Sequence, residues 1–143
     1  MLESTVMLKP LVALLVLNSV MFFWMYATRL PAMYKLKMVS DPLLPAGQQM
    51  SELPPRIRWK ADNYNHLLEQ PTLFYAVVLT LTLAGAANQL NVMLAWGYVA
   101  LRVVHSLVQV LWNKIEVRFV IFALSSLMLI ALILRAAILL LWG

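Results

Sequence analysis

The sequence predicts an all-α fold, an integral-membrane four-helix up-down bundle, and three observations carry that reading. Of 143 residues, 63% are hydrophobic and 12% charged, with a mean hydropathy of +0.82. Ordinary soluble domains carry about 25% charge. Apolar runs of spanning length recur along the chain, since about 20 residues cross the hydrocarbon. Eight of the 11 Lys and Arg residues fall in two short segments, Arg29 to Lys60 and Lys114 to Arg118. Basic clustering of that kind marks loops held on the cytoplasmic side.

The same composition excludes several classes. A formal charge of +5 that sits in membrane-flanking loops does not call for a nucleic-acid partner. The chain has no cysteine, so disulfides, thiolate metal sites and cysteine nucleophiles are absent. Two histidines are too few for a multi-histidine metal site, and no metal is expected. No phosphate loop, zinc-protease motif or Ser-His-acid spacing is present.

A single domain over residues 1–143 is expected, with spans at about 9–28, 69–89, 91–112 and 118–142. The start of the chain is acidic and no small-residue motif closes the first apolar run. That run therefore reads as a span, not a cleaved signal. Its 19 uncharged residues from Pro10 to Thr28 make about 28 Å of helix. Pro10 suits a first helical turn. Asn18, Phe22, Met25 and Arg29 share one face, and Asn18 is expected to hydrogen-bond another helix.

A long polar connection, 29–60, holds five prolines and six basic residues. Such density predicts irregular structure up to Pro55, in the form of a lid over a cytoplasmic site. The second span begins as a helix near Pro55 and enters the membrane near Glu69. Asp62, His66 and Glu69 lie on one stripe, and Pro71 kinks the helix just beyond. The segment from Gly85 to Asn91 reads as an uncharged tight turn on the opposite membrane face.

Span three carries the chemistry. Tyr98, Arg102, His105, Gln109 and Trp112 return to one helical face at steps of three and four. Ionisable groups in hydrocarbon usually face a bundle interior or a wet pocket. Arg102 lies about 15 Å from the helix end at Trp112, too deep for an unpartnered charge, and Glu69 on the neighbouring span is its expected partner. A short charged turn, 113–118, leads to span four. That span is apolar except for Ser125, Ser126 and Arg135, and Arg135 is expected to snorkel or meet a neighbouring subunit. With both loops cytoplasmic, the two termini face the other side.

The polar set describes an anion pocket in which an arginine fork, an imidazole and an amide converge on a carboxylate-rich ligand. Arg118 is placed to stabilise a developing anion such as a thiolate. Bundle glue is the competing reading of the same residues.

The pattern Arg102-x-x-His105-x-x-x-Gln109, with Arg118 nine residues on, resembles the third-helix motif of the MAPEG family, the membrane-associated proteins in eicosanoid and glutathione metabolism. Ala61-Asp-Asn-Tyr-Asn-His-Leu-Leu-Glu-Gln-Pro71 resembles that family's second-helix motif. The likeness covers nearly the whole chain and is closest to small bacterial members. It implies a homotrimer in an inner membrane, with glutathione as thiol co-substrate and a lipophilic electrophile or hydroperoxide arriving from the bilayer. It also implies glutathione contacts at Arg29, His66, Glu69, Arg102, His105 and Gln109, and thiol activation by Arg118. The chain departs from the family pattern at several of these positions. His66 replaces an asparagine, Asn65 a basic residue and Gln109 a tyrosine, while Phe119 and Phe122 stand where hydroxyls are common. Two functions follow from this: a glutathione-dependent transferase or peroxidase, or a non-catalytic trimeric membrane protein, lipid-binding or structural, on the same fold.

Overall fold

A computed structural model describes residues 2–143, with side chains from Thr5 onward. Met1, where the expected domain begins, lies outside the described residues. The helices are α1 (Leu2–Lys35), α2 (Pro55–Glu69), α3 (Pro71–Leu83), α4 (Gln89–Leu111) and α5 (Ile115–Leu141), with a short 3₁₀ turn at Met50–Glu52. α2 and α3 form one kinked rod. Gln70 between them keeps helical dihedrals (φ −60°, ψ −38°), but Pro71 has no N–H to continue the ladder. The result is a four-helix bundle. α1, α4 and α5 are each long and apolar enough to cross a membrane, so the protein is an integral membrane protein.

α1 overruns the expected span at both ends. It contains Pro10 and Pro31 in its interior, so Pro10 does not open the helix. Each proline forfeits one backbone bond and neither ends the helix. The irregular connection is correspondingly shorter, running from residue 36 to Pro54 apart from the 3₁₀ turn, and α2 does open at Pro55.

The helices close a ring in which α1 touches α2, α3 and α4, α5 touches α3 and α4, and α2 touches α4. The main core joins Met7, Leu14, Phe74, Val78, Tyr98 and Leu132. A smaller cluster of Met21, Leu67 and Val110 closes the loop-bearing end. α4 and α5 approach closely at Gly97, where an added Cβ would stand 2.5 Å from Met128 Sδ. Leucines and phenylalanines cover the outside, as lipid contact requires.

Polar pairs tie the apolar helices together. Asn18 Nδ2 donates to Tyr75 Oη at 2.6 Å, the interhelix bond expected of it. At the turn after α3, Gly85 takes φ +68° and the Asn88 side chain caps α4 by accepting from Asn91 N–H at 3.0 Å. Asn91 is buried, and its Nδ2 donates to Ala86 O at 2.8 Å. Its Oδ1 accepts from Arg135 Nε. Arg135 is half-buried, and its Nε bond ties it to the amide at the start of α4.

The Asn91–Arg135 contact pins the α3–α4 turn to α5. Asn91→Ala strands the guanidinium in a water-poor bundle and should cost about 1.5–3 kcal/mol, the range for hydrogen bonds to charged groups. Unfolding of the detergent-solubilised protein measures it. A loss no larger than the roughly 0.6 kcal/mol average of polar contacts in membrane bundles would refute the pinning role.

Candidate functional site

One face of α4 turns a polar stripe into the bundle. Tyr98, Arg102, His105, Ser106 and Gln109 are all buried. Trp112 leaves the stripe and is 60% exposed. α4 ends at Leu111, so Trp112 sits past the helical repeat and its ring faces outward.

At the foot of the stripe Tyr98 stacks on Phe74 with ring centroids 4.5 Å apart. Its hydroxyl donates to Gln70 Oε1 at 3.3 Å. Gln70 Nε2 in turn donates to Ser126 Oγ at 2.8 Å. The amide at the α2–α3 kink thus links α4 to α5.

Arg102 is the largest fully buried side chain, with 0% exposure. Its Nη2 donates to the His66 carbonyl at 3.4 Å. That carbonyl belongs to the last turn of α2, where helical carbonyls lack intrahelical partners. The negative end of the α2 dipole favours a cation there. The expected Glu69–Arg102 pair does not form. Glu69 Oε2 lies 3.3 Å from His66 Nδ1, with the Glu69 side chain 70% exposed. The rotation of α2 points Glu69 out of the bundle, and backbone takes the role assigned to it.

Three rings close over Arg102. His66 lies 5.2 Å from His105 and 5.3 Å from Phe122, centroid to centroid. The Arg102 guanidinium carbon is 6.0 Å from the Phe122 centroid. Arg118, half-buried near the start of α5, donates through Nη1 to Asn113 Oδ1. Asn113 itself takes a left-handed φ of +56°, a conformation asparagine tolerates.

The seven expected site residues therefore divide unevenly. The structure gathers His66, Arg102 and His105, places Gln109 one turn further along the same buried face and leaves Glu69 on the outer rim. Arg118 is near enough for its charge to act on His66. Arg29 does not join them. It lines a separate cavity of about 260 Å³ with Ser51, Arg58, Asp62 and Asn65, beneath loop residues Gly47 and Met50. The loop covers that cavity rather than the Arg102 cluster. Phe119 points away and is 69% exposed. Two buried polar residues, Asn63 and Ser106, and the half-buried kink residue Gln70 join this region without a signal in the α4 stripe. Asn63 stands three residues before His66, and that spacing is the signal that was available.

Many of these buried polar atoms have no partner. They are Arg102 Nε and Nη1, His105 Nδ1, Ser106 Oγ, Gln109 Oε1, both amide atoms of Asn63, and Arg118 Nε. Buried polar groups are nearly always paired, and clusters of exceptions call for an explanation such as a bound ligand. Free guanidinium N–H groups suit an anion. Among the described residues no group of three His, Asp or Glu side chains could hold a metal.

A helical membrane bundle with a buried cationic cluster at one end is the class that fold and site define. The model of the MAPEG family matches residues 7–138, and the chain belongs to that family. No curated protein and no solved structure matches it.

Burial lowers the His66 pKa from its ordinary 6.5, and the charges of Arg102 and Arg118 add to that effect while Glu69 opposes it. A folded value below the unfolded one means that acid favours the unfolded chain. Stability from neutral His66 should be complete above pH 6.5 and fall as the pH drops towards the lowered value. Melting temperatures across this range should show the loss, and His66→Gln should flatten it. An unchanged slope in His66→Gln would assign the dependence elsewhere.

Proposed function

We propose that the protein is a glutathione-dependent membrane enzyme, a transferase or peroxidase acting on lipophilic electrophiles or hydroperoxides. The observation that carries this reading is the pair of arginines, Arg102 and Arg118, with buried N–H groups unpartnered and no carboxylate bound to either. Glutathione brings two carboxylates and a thiol. Arg102, His105 and Gln109 supply the polar wall for the peptide, and His66 and Glu69 its rim. Arg118 stabilises the thiolate, because a nearby cation lowers a thiol pKa from about 8.5. The thiolate then attacks the electrophile, or two glutathiones reduce a hydroperoxide to alcohol and water and leave as the disulfide. The remaining partners are supplied by a homotrimer, with Arg29 of the separate cavity contributing at the rim. On this reading the end with the basic loops faces the cytoplasm from a bacterial inner membrane, with the termini on the opposite side, as the clustering of Lys and Arg in those loops favours.

One observation favours a second reading. Phe122 fills the space between His66, His105 and Arg102, where a hydroxyl would have served a ligand. On that reading the protein is a non-catalytic trimer, lipid-binding or structural, and the polar stripe serves the bundle alone.

Calorimetry with glutathione on the purified protein separates the two, alongside thiol-dependent turnover. Arg118→Ala should weaken binding and lower turnover on the order of 10²-fold, the loss typical of one transition-state donor, and Arg118→Lys should restore part of it. Absence of binding at millimolar glutathione, together with a lowered melting temperature in Arg102→Leu, would establish the second reading.

A further inference from the structure

The connection between α1 and α2 carries exposed apolar side chains that neither the fold nor the proposed thiol chemistry uses. Tyr34 is 86% exposed, Val39 80% and Leu43 91%. Lys35 and Lys37 stand among them. We infer that this segment is an interfacial anchor, with Val39 and Leu43 immersed among the anionic phospholipid headgroups of the leaflet that α1 leaves, and Lys35 and Lys37 against their phosphates.

Depth supports this. Arg29 ends the uncharged stretch of α1 and so marks the hydrocarbon boundary. The helix runs six residues further, to Lys35, about 9 Å. It then reverses at Lys37, which takes φ +51°. Lys37 N–H donates to Tyr34 O and Met38 N–H to Met33 O, both at 3.1 Å, the paired bonds of a helix-ending turn. By Gly47 and Ser51 the chain is back beside Arg29. Val39 and Leu43 therefore lie on the stretch that descends from the helix tip to the boundary plane.

The segment is also built to shed water. Gln49 braces it from within, its Oε1 accepting from Asp41 N–H at 3.0 Å and its Nε2 donating to Val39 O at 2.6 Å. The Asp41 carboxylate accepts from Leu43 N–H at 2.9 Å. These bonds satisfy backbone groups that would otherwise hold solvent, the condition for irregular chain at membrane depth. They also occupy the acidic group nearest the lysines, and anionic leaflets attract basic segments beside a span. Tyrosine is enriched at this depth.

The absence of cysteine makes the test direct. A spin label on Leu43→Cys is read in nanodiscs of phosphatidylglycerol with phosphatidylcholine, using collisions with oxygen and with a water-soluble nickel chelate. Labels at Glu116→Cys and Leu127→Cys mark the aqueous and hydrocarbon limits. The oxygen-to-nickel ratio at residue 43 should exceed that at 116 several-fold. It should fall in pure phosphatidylcholine and in the Lys35→Gln/Lys37→Gln background. A ratio equal to that at 116 overturns the anchor. Immersion indifferent to lipid charge and to the lysines overturns the headgroup contact. An immobilised label that neither collider reaches overturns both, because the segment would then be covered by a second copy of the chain.

Discussion

The fold turns on a guanidinium held by backbone. Arg102 has no exposure and no carboxylate, yet it lies within a membrane-crossing helix. A lone arginine at the centre of a span costs about 2.5–3.5 kcal/mol on insertion scales. A hydrogen bond to a charged group returns about 1.5–3 kcal/mol, but the one Arg102 makes is long at 3.4 Å and leaves Nε and Nη1 unpartnered, so the burial is offset only in part. The acceptor is the His66 carbonyl in the last turn of α2, close to the break at Pro71. The oxygen that Pro71 itself leaves without an N–H donor is that of Leu67, four residues back.

The two ends of the bundle treat their buried polar groups differently. At the α3–α4 turn, Asn88, Asn91, Ala86 and Arg135 are joined by a chain of hydrogen bonds. At the loop-bearing end the chain supplies Arg102 with one of its possible partners and leaves Ser106, Asn63 and His105 Nδ1 with none. The same energetic pressure to pair acts at both ends. The imbalance makes the second end the place where a ligand or a neighbouring subunit can bring the missing acceptors and donors.

Legibility followed the physics of each element. Helical periodicity alone placed Tyr98, Arg102, His105 and Gln109 on an inward face, because α4 is regular over that stretch and a polar stripe in lipid has one stable direction. The same repeat failed at Trp112, where the helix stops. Asn18 was readable because a mid-span amide must find another helix. The Glu69–Arg102 pair was not, because spacing along α2 does not give the rotation of that helix about its axis, and backbone acceptors are invisible in a list of side chains. The Asn91–Arg135 contact escapes the sequence for a related reason, because Asn91 lies at the start of α4 beside the turn, 44 residues from its partner. The loop prolines read as uniform disorder of direction, yet Pro31 sits inside α1, where one lost bond near a helix end is tolerated.

The two arginines of the cluster are held differently. Arg102 donates to the His66 carbonyl and lies under Phe122, whose ring excludes water and so strengthens charge interactions beneath it. That strength is useful for orienting an anion and poor for exchange, since the ring must move before a carboxylate can reach the buried N–H groups. Arg118 sits instead on the first turns of α5, tethered to Asn113 in a short left-handed turn. Its Nη1 bond reaches a turn rather than another helix, whereas Arg102 ties α4 to α2. The deeper arginine is thus part of the helix packing, while the shallower one is held by the turn that precedes its own helix.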